Sequence, residues 1–547
     1  MSNLNDKCSN SKNEISKTKI IKNGTKFQAF KETLIEYFQE STINGLKYIG
    51  KQNQPALDRI IWLLAVIISI SMCLFLIGNL MDERTNNPII VAFNEKVTSV
   101  SEIPFPSVTI CPETKTSTDI FNYTKAYKKI SNFEKLTENE EYFWNAVSQI
   151  CEPSFFNLNG QSYLANASDL IKAMSKVAPS ILYNLEDCHW RSKFEYCNIL
   201  WNNVVTDEGI CFSFNSLKSE YYRTELYNAR KKDFIGSGFD NVDDFDWNLE
   251  NGYKKNSKSW VFPNRVLGAG DRESLVVSFM DKKIDQQPLC RNSVGGFKVI
   301  LHTPGEDPQV SKNFIQLPLD QSVTLTIRPN IMTSGDLRHY SPERRQCYYQ
   351  NERYLRYFKV YTQANCESEW LANKTLSECG CVKFSMPRNL SHPVCGYESL
   401  KCLESVINES RKLKFKHGKE PKNYCLPTCI SVEYKTELEH QVPITYAQMM
   451  ESFSEVGYLN KVNFVSSYRI TKLKLKFQDD TFNGLKRTEL YSLSDFISNC
   501  GGLLGLFMGV SILSLVELVY FFTLRLWTNL KNRRKIQQNL EENATKY

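Results

Sequence analysis

The run Ser498-Asn-Cys-Gly-Gly-Leu-Leu-Gly-Leu-Phe-Met-Gly-Val-Ser-Ile-Leu-Ser-Leu-Val-Glu-Leu-Val-Tyr520 constrains this chain more than any other stretch. From Gly501 to Leu524 it carries one charge, Glu517, in 24 residues, enough for a helix to cross a hydrocarbon core of ~30 Å. Gly501, Gly505 and Gly509 recur every four residues, a small-residue ridge on which helix backbones approach closely. A single-pass dimer anchor carries the same ridge, so the glycines alone leave two readings open. Glu517 separates them, because a carboxylate in hydrocarbon costs roughly 2.5 kcal/mol or more unless it faces a protein interior or a water-filled path. Gly509-Val510-Ser511 supplies small side chains where main-chain carbonyls can line a constriction. Glu517 falls seven residues past Val510, on nearly the same face of a continuous helix. The stretch reads as a span that belongs to an ion pathway.

The 547 residues are 42% hydrophobic and 23% charged, an ordinary globular balance, so membrane content is confined to short segments. The net charge of +7 is spread along the chain without an aromatic-interleaved basic motif, which argues against nucleic acid as a partner. Residues 1–59 are polar and Lys-rich, with no apolar stretch or cleavage site of a removable signal peptide. Within them Phe27, Phe30, Leu34, Ile35 and Phe38 fall at helical spacing and predict an amphipathic helix, either packed in the cytosol or laid against the membrane. Ile60 to Leu80 is a second uncharged run, 21 residues long, and reads as the first span. Ten Lys or Arg precede residue 60, and Arg525, Lys531, Arg533, Arg534 and Lys535 follow the second span. That asymmetry puts both termini in the cytosol. The domains are then a cytosolic segment 1–59, a transmembrane helix 60–80, an extracellular domain 81–500, a pore-bearing transmembrane helix 501–524 and a cytosolic tail 525–547.

Cysteine usage agrees with that orientation. Of 17 cysteines, Cys8, Cys73 and Cys500 lie in or beside the cytosolic and membrane segments, and the other 14 fall between Cys111 and Cys429. An even number in an oxidising compartment predicts up to seven disulfides. Cys379-Gly-Cys381 and Cys425-x3-Cys429 lack a His-containing tetrad at zinc-finger spacing, so no metal site is expected. Sequons at Asn122, Asn166, Asn373, Asn389 and Asn408 mark the same segment as a glycosylated surface. Phe297–Leu301, Val323–Ile327 and Leu473–Phe477 alternate apolar and polar residues and predict strands. The turn 302–308 separates the first two. Residues 342–362 lack Gly and predict a helix, whereas 215–260 is polar and aromatic and resists assignment.

Several motifs together resemble one family. The unbroken run Gly501–Glu517 is similar to the second membrane helix of the degenerin/epithelial sodium channel superfamily, most of all its insect pickpocket branch. Ser41-Thr-Ile-Asn-Gly-Leu-Lys-Tyr-Ile49 resembles the family's pre-membrane gating motif, with Asn44 in place of the usual histidine and Gly45 retained. Phe105-Pro-Ser-Val-Thr-Ile-Cys111 and Thr206-Asp-Glu-Gly-Ile-Cys211-Phe-Ser-Phe-Asn215 resemble its paired first ectodomain strands. Tyr361-Thr-Gln-Ala-Asn-Cys366, Cys379-Gly-Cys381-Val-Lys-Phe-Ser-Met-Pro387 and Cys425-Leu-Pro-Thr-Cys429 resemble its thumb-domain ladder. The resemblance implies bridges Cys111–Cys211, Cys188–Cys197, Cys347–Cys429, Cys366–Cys425, Cys379–Cys402 and Cys381–Cys395. It leaves Cys151 with Cys290. Trp370 and Asn423 stand where the family has both halves of one further rung.

The fold implied is a two-span membrane protein around a disulfide-rich α+β ectodomain of palm, thumb and finger type, assembled as a trimer of identical or related subunits in the plasma membrane. The function implied is a sodium-selective, amiloride-sensitive, voltage-independent channel that conducts passively, is gated through its ectodomain by an extracellular ligand or another stimulus, and needs no cofactor beyond permeant Na+. Gly509, Val510 and Ser511 match the selectivity filter, Gly505 the amiloride-contact position and Ser498 the degenerin gating position. No nucleophile–base pair or phosphate loop argues for an enzyme. Asn44 keeps a second reading open, a non-conducting accessory subunit of a heteromer, and the two-span topology alone is shared by receptor and adhesion proteins and by trimeric ATP-gated channels. A palm strand at 473–477, close in sequence to the second span, is expected to pull on the pore, and 215–260 is where stimulus specificity is expected.

Overall fold

A computed structural model describes residues 28–51, 55–86, 89–151, 167–180, 185–217, 223–224, 247–254, 262–291, 295–389, 391–396, 399–416, 425–445, 447–448 and 466–544. Most of 215–260, together with Cys8, Phe27, Asn166 and Asn423, lies outside them. The chain divides into two compact units, Val91–Thr488 on one side and Met1–Ile90 with Glu489–Tyr547 on the other.

The larger unit is built on two sheets. The first runs in the order β1 (Ile89–Ser99), β15 (Thr481–Glu489), β12 (Gln321–Ser334), β14 (Tyr468–Phe477), β9 (Leu275–Lys282), β3 (Leu185–Trp190), β4 (Lys193–Phe194), with β13 (Ser431–Pro443) also on β12. The second runs β11 (Ile315–Pro318), β10 (Gly296–His302), β2 (Ser107–Pro112), β6 (Gly209–Phe214), β5 (Trp201–Thr206). Alternation selects the faces: in β14, Leu473, Leu475 and Phe477 are buried, while Lys476 reaches Asp271 at 3.1 Å. The strand patterns at 297–301 and 323–327, separated in sequence by a turn, belong to different sheets, β10 and β12. They meet through the core between the sheets, where Phe279 of β9 packs on Phe297 with ring centroids 4.7 Å apart. Phe105 fills the centre of that core, with edge-on contacts to Trp190 and Phe477 at 5.0 and 5.5 Å.

The strands β2 and β6 pair antiparallel, Ile110 opposite Phe212, and the Cys111–Cys211 bridge lies beside that register. The structure also joins Cys188–Cys197, Cys347–Cys429, Cys366–Cys425, Cys379–Cys402 and Cys381–Cys395, the pairs that the resemblance implies, and Cys151–Cys290, the pair those leave over. The thumb is the helix pair Gln363–Cys379 and Leu400–Lys416, tied by Cys379–Cys402. Trp370, at the vacated rung position, packs on the apolar cluster around Cys366.

The helix expected over 342–362 is a correction: only Pro342–Arg345 is helical, and the thumb helix starts at Gln363. Gln346 takes a left-handed conformation at φ 56° and ends the turn. Beyond it, side chains satisfy the backbone in place of a helical ladder: the Glu369 carboxylate accepts the amides of Arg356 and Tyr357 at 2.9 and 3.0 Å. The aromatics Tyr349, Tyr357, Phe358 and Tyr361 are buried without a helical period.

The Phe279–Phe297 contact joins the two sheets, so Phe297→Ala is expected to cost about 3–5 kcal/mol. A lowered unfolding midpoint of the purified full-length chain, with the exposed Lys193→Ala of β4 as the near-neutral comparison, checks it.

Candidate functional site

In the smaller unit the helix Ala56–Asn86 is long and apolar enough to cross a membrane. The second apolar segment is not the continuous helix expected over 501–524. It starts earlier, as Leu493–Met508 behind a Ser492–Asp495 capping box, breaks at Gly509-Val510-Ser511, and resumes as Ile512–Tyr520. A π-helical turn Phe521–Arg525 and the helix Leu526–Ala544 follow. The inference that Val510 and Glu517 share one helix face fails for that reason.

Local chemistry dictates the break. Gly509 sits at φ +67°, a left-handed position that costs a side chain ~1–2 kcal/mol. Ser511 then starts a new helix with a capping box to Ser514: each side-chain oxygen accepts the other residue's backbone N–H at 3.2 Å. Ser-x-x-Ser after a glycine is the signal in the sequence that announces this restart.

A broken helix leaves the carbonyls of its last turn without helical partners, which is expensive at membrane depth. Here those of Gly505, Phe507 and Met508 find partners. The carbonyl of Gly505 accepts the Gly509 N–H at 2.9 Å, and that of Leu504 the Val510 N–H at 3.3 Å. Phe507 O accepts the Ser69 hydroxyl from the first span at 2.6 Å, and Met508 O the Asn44 N–H at 3.0 Å. The segment 41–45 thus folds back onto the break. Gly45 has φ +91°, and a Cβ there would stand 2.6 Å from Val66 of the first span. A Cβ on Gly509 would stand 2.5 Å from the Asn44 amide nitrogen. The short helix Leu46–Gly50 is held by a Tyr48–Trp62 stack at 4.3 Å.

Glu517 meets the same returning segment. Its carboxylate accepts the Thr42 hydroxyl at 2.6 Å and the Thr42 N–H at 3.3 Å, and the Thr42 hydroxyl lies 2.9 Å from that of Ser514. Sequence reasoning missed Thr42, Ser69 and Ser514, none of which stands out by composition. Ser498, Gly501, Gly502 and Gly505 share one face of the upper helix. A Cβ added at Gly501 or Gly502 would meet nothing within 4 Å, and at Gly505 only Val510 O at 3.8 Å.

Residues 28–40 are helical, as the periodicity predicts, but their buried row is Ala29, Thr33 and Tyr37 rather than the apolar row from Phe27 to Phe38, and Phe30 is exposed. In the larger unit, Asn122 caps the helix Tyr123–Ser131 by accepting the Lys125 N–H at 2.8 Å. Asn373 and Asn408 are exposed and Asn389 half-buried.

A cavity of about 480 Å³ in the larger unit is lined by His302, Thr303, Glu306, Thr362, Glu367 and Tyr434 among others. Burial pushes the Glu306 carboxyl up to about 7 although it accepts the Thr303 N–H at 3.2 Å. Burial likewise pushes His302 down to about 4, and its Nε2 lies 3.0 Å from the Thr109 hydroxyl.

Two outcomes follow from these sites. Gly509→Ala is expected to destabilise the full chain by at least ~1–2 kcal/mol, read as its unfolding midpoint in detergent. Asn44→Ala in the same chain recovers the steric part and leaves the backbone part. For Glu306, the carboxyl stays protonated in the folded chain while the unfolded one ionises above its ordinary 4.5. Folding stability therefore falls as pH rises from about 4.5 to about 7, by up to roughly 3 kcal/mol. Glu306→Gln is expected to flatten that part of the stability–pH curve.

The family model described as amiloride-sensitive sodium channel matches residues 37–521. Pickpocket protein 28 of Drosophila melanogaster is 26% identical over 520 residues, which cover 94% of this chain and 82% of that protein. Sodium channel protein Nach of the same species is 23% identical, with 92% of this chain and 89% of the relative covered. The bile acid-sensitive ion channel of Mus musculus is 20% identical, covering 93% and 91%.

Proposed function

Because this chain belongs to the amiloride-sensitive sodium channel family, a family of membrane cation channels and not of enzymes, we propose that it is a subunit of a sodium-selective, amiloride-blocked, voltage-independent channel of the plasma membrane. The observation that carries this reading is the break at Gly509-Val510-Ser511. Non-helical backbone at membrane depth persists only where protein buries it or where it lines a water-filled path. The neighbouring face of Ser498, Gly501, Gly502 and Gly505 is uncovered in the single chain, which suits packing of second spans around a shared axis in a trimer.

In this reading Gly509, Val510 and Ser511 form the selectivity filter, where closely spaced oxygens replace part of the Na+ hydration shell. Gly505 supplies the amiloride contact and Ser498 the gating position, each needing a small side chain. The positive flanks keep both termini in the cytosol. The ectodomain bears on the gate through connectivity: the chain leaves the first span into β1 and enters the second from β15, and these strands are neighbours at one edge of a single sheet. A shift of that edge moves both connections together, driven by a ligand or another stimulus in the ectodomain.

A second reading, an accessory subunit that conducts only with a partner, is favoured by Asn44, which lacks the titratable ring of the family's motif. Voltage clamp of cells expressing the chain alone, with Ser498→Val to hold the gate open, separates the two. The expected result is an inward current that disappears when external sodium is replaced and is blocked by amiloride. A chain labelled at the surface yet carrying no current overturns the homomeric channel and supports the accessory role.

A further inference from the structure

The helix 28–40 and the carboxy-terminal part of the second span form an antiparallel pair whose contacts advance by one turn at a time. Tyr37 packs edge-on against Phe521 and Phe522 at 5.5 and 5.8 Å. Glu36 accepts Arg525 Nε on its two oxygens at 3.0 and 3.1 Å, and the Arg525 Nη2 as well. Asn529 donates to the Thr33 hydroxyl at 3.0 Å. Arg533 reaches Glu32 at 3.0 Å and Gln28 at 2.8 Å. Phe521, Arg525, Asn529 and Arg533 are four apart, so one row of the span meets one row of the helix. The π-helical turn Phe521–Arg525 lies where Tyr37 and Glu36 dock, a kind of helix irregularity that concentrates at functional positions.

Only Ser41 separates the end of this helix from Thr42, and its N–H is bonded to Tyr37 O at 2.8 Å. The helix therefore sets where Thr42 and Asn44 arrive. We propose that Glu36 and Arg525 are positioning residues: their fork fixes the register of the antiparallel pair and so holds Thr42 on Glu517 and the Asn44 N–H on Met508 O, at the break in the second span. An Arg–carboxylate fork is suited to this because two parallel bonds fix orientation as well as distance. The Arg525 hydrogen bonds hold the Glu36 carboxyl below its ordinary range, so the anion is present at neutral pH. The ion-path consequence of this clamp rests on the filter assignment at Gly509–Ser511, whereas the clamp itself does not.

The test uses the full chain in isolated membranes with Thr42→Cys and Ser514→Cys, whose native side-chain oxygens are 2.9 Å apart. Copper-phenanthroline oxidation is followed by mass spectrometry of the linked peptide. Glu36→Gln or Arg525→Gln is expected to slow linkage about two- to fivefold, and the exchange Glu36→Arg with Arg525→Glu to restore it. Equal linkage in the single variants and the parent overturns the clamp, as does a loss that the exchange does not restore. In parallel, reversal potentials are measured for the same charge variants in the Ser498→Val channel under sodium–potassium exchange. A shift restored by the exchange supports the pathway assignment. Linkage that falls and recovers while the reversal potential stays fixed overturns the filter assignment at Gly509–Ser511 and leaves the clamp supported.

Discussion

A peptide carbonyl without a hydrogen bond at membrane depth costs several kcal/mol, and that single cost organises the smaller unit. The left-handed Gly509 ends one helix and Ser511 starts the next, so a turn of carbonyls loses its ladder partners. Each partner that replaces them comes from a different part of the sequence: Ser69 from the first span, Asn44 from the amino-terminal segment, and the amides of Gly509 and Val510 from the break itself. A span that kept its helix would need none of these. The return of residues 41–45 is thus tied to the irregularity it caps, and the two glycines that permit it, Gly45 and Gly509, do so by backbone conformation and by the absence of a Cβ.

The ectodomain answers a different constraint. Two sheets that share one apolar core resist shear because the aromatic layer of Phe105, Phe279, Phe297 and Phe477 interlocks from both sides. The bridges add little to that core directly, since most lie in the thumb and helical attachments. Their effect is to limit the freedom of those attachments, whose own apolar clusters are small. The sheet's β1–β15 edge is where the chain connects in sequence to both spans.

Legibility in the sequence followed the length scale of the interaction. Period-two patterns at 297–301, 323–327 and 473–477 fall on β10, β12 and β14 because burial on one face is a local signal. Hydropathy marked the second span but not its interruption, since Gly-Val-Ser is as apolar as a continuous helix requires. Only the cap signal in Ser511 and Ser514 distinguishes the two. The region 342–362 misled through the absence of glycine: nothing in its composition reveals that Glu369, more than ten residues on, bonds its backbone. Thr42, Glu36 and Arg525 were unreadable for a related reason, because each acts on a partner hundreds of residues away.

Asn44 illustrates how a departure from a family motif can be harmless to structure. Its bond to Met508 is made by the main-chain N–H, which any residue but proline supplies. Its side chain lies against Gly509, where the missing Cβ leaves room for a carboxamide. The neighbouring residue Thr42, not Asn44, engages Glu517 through both a hydroxyl and an amide. Replacing a titratable ring by a neutral amide therefore leaves the capped carbonyl and the Thr42–Glu517 contact in place and removes only a charge that could respond to pH. The contacts that hold the returning segment are therefore independent of that charge.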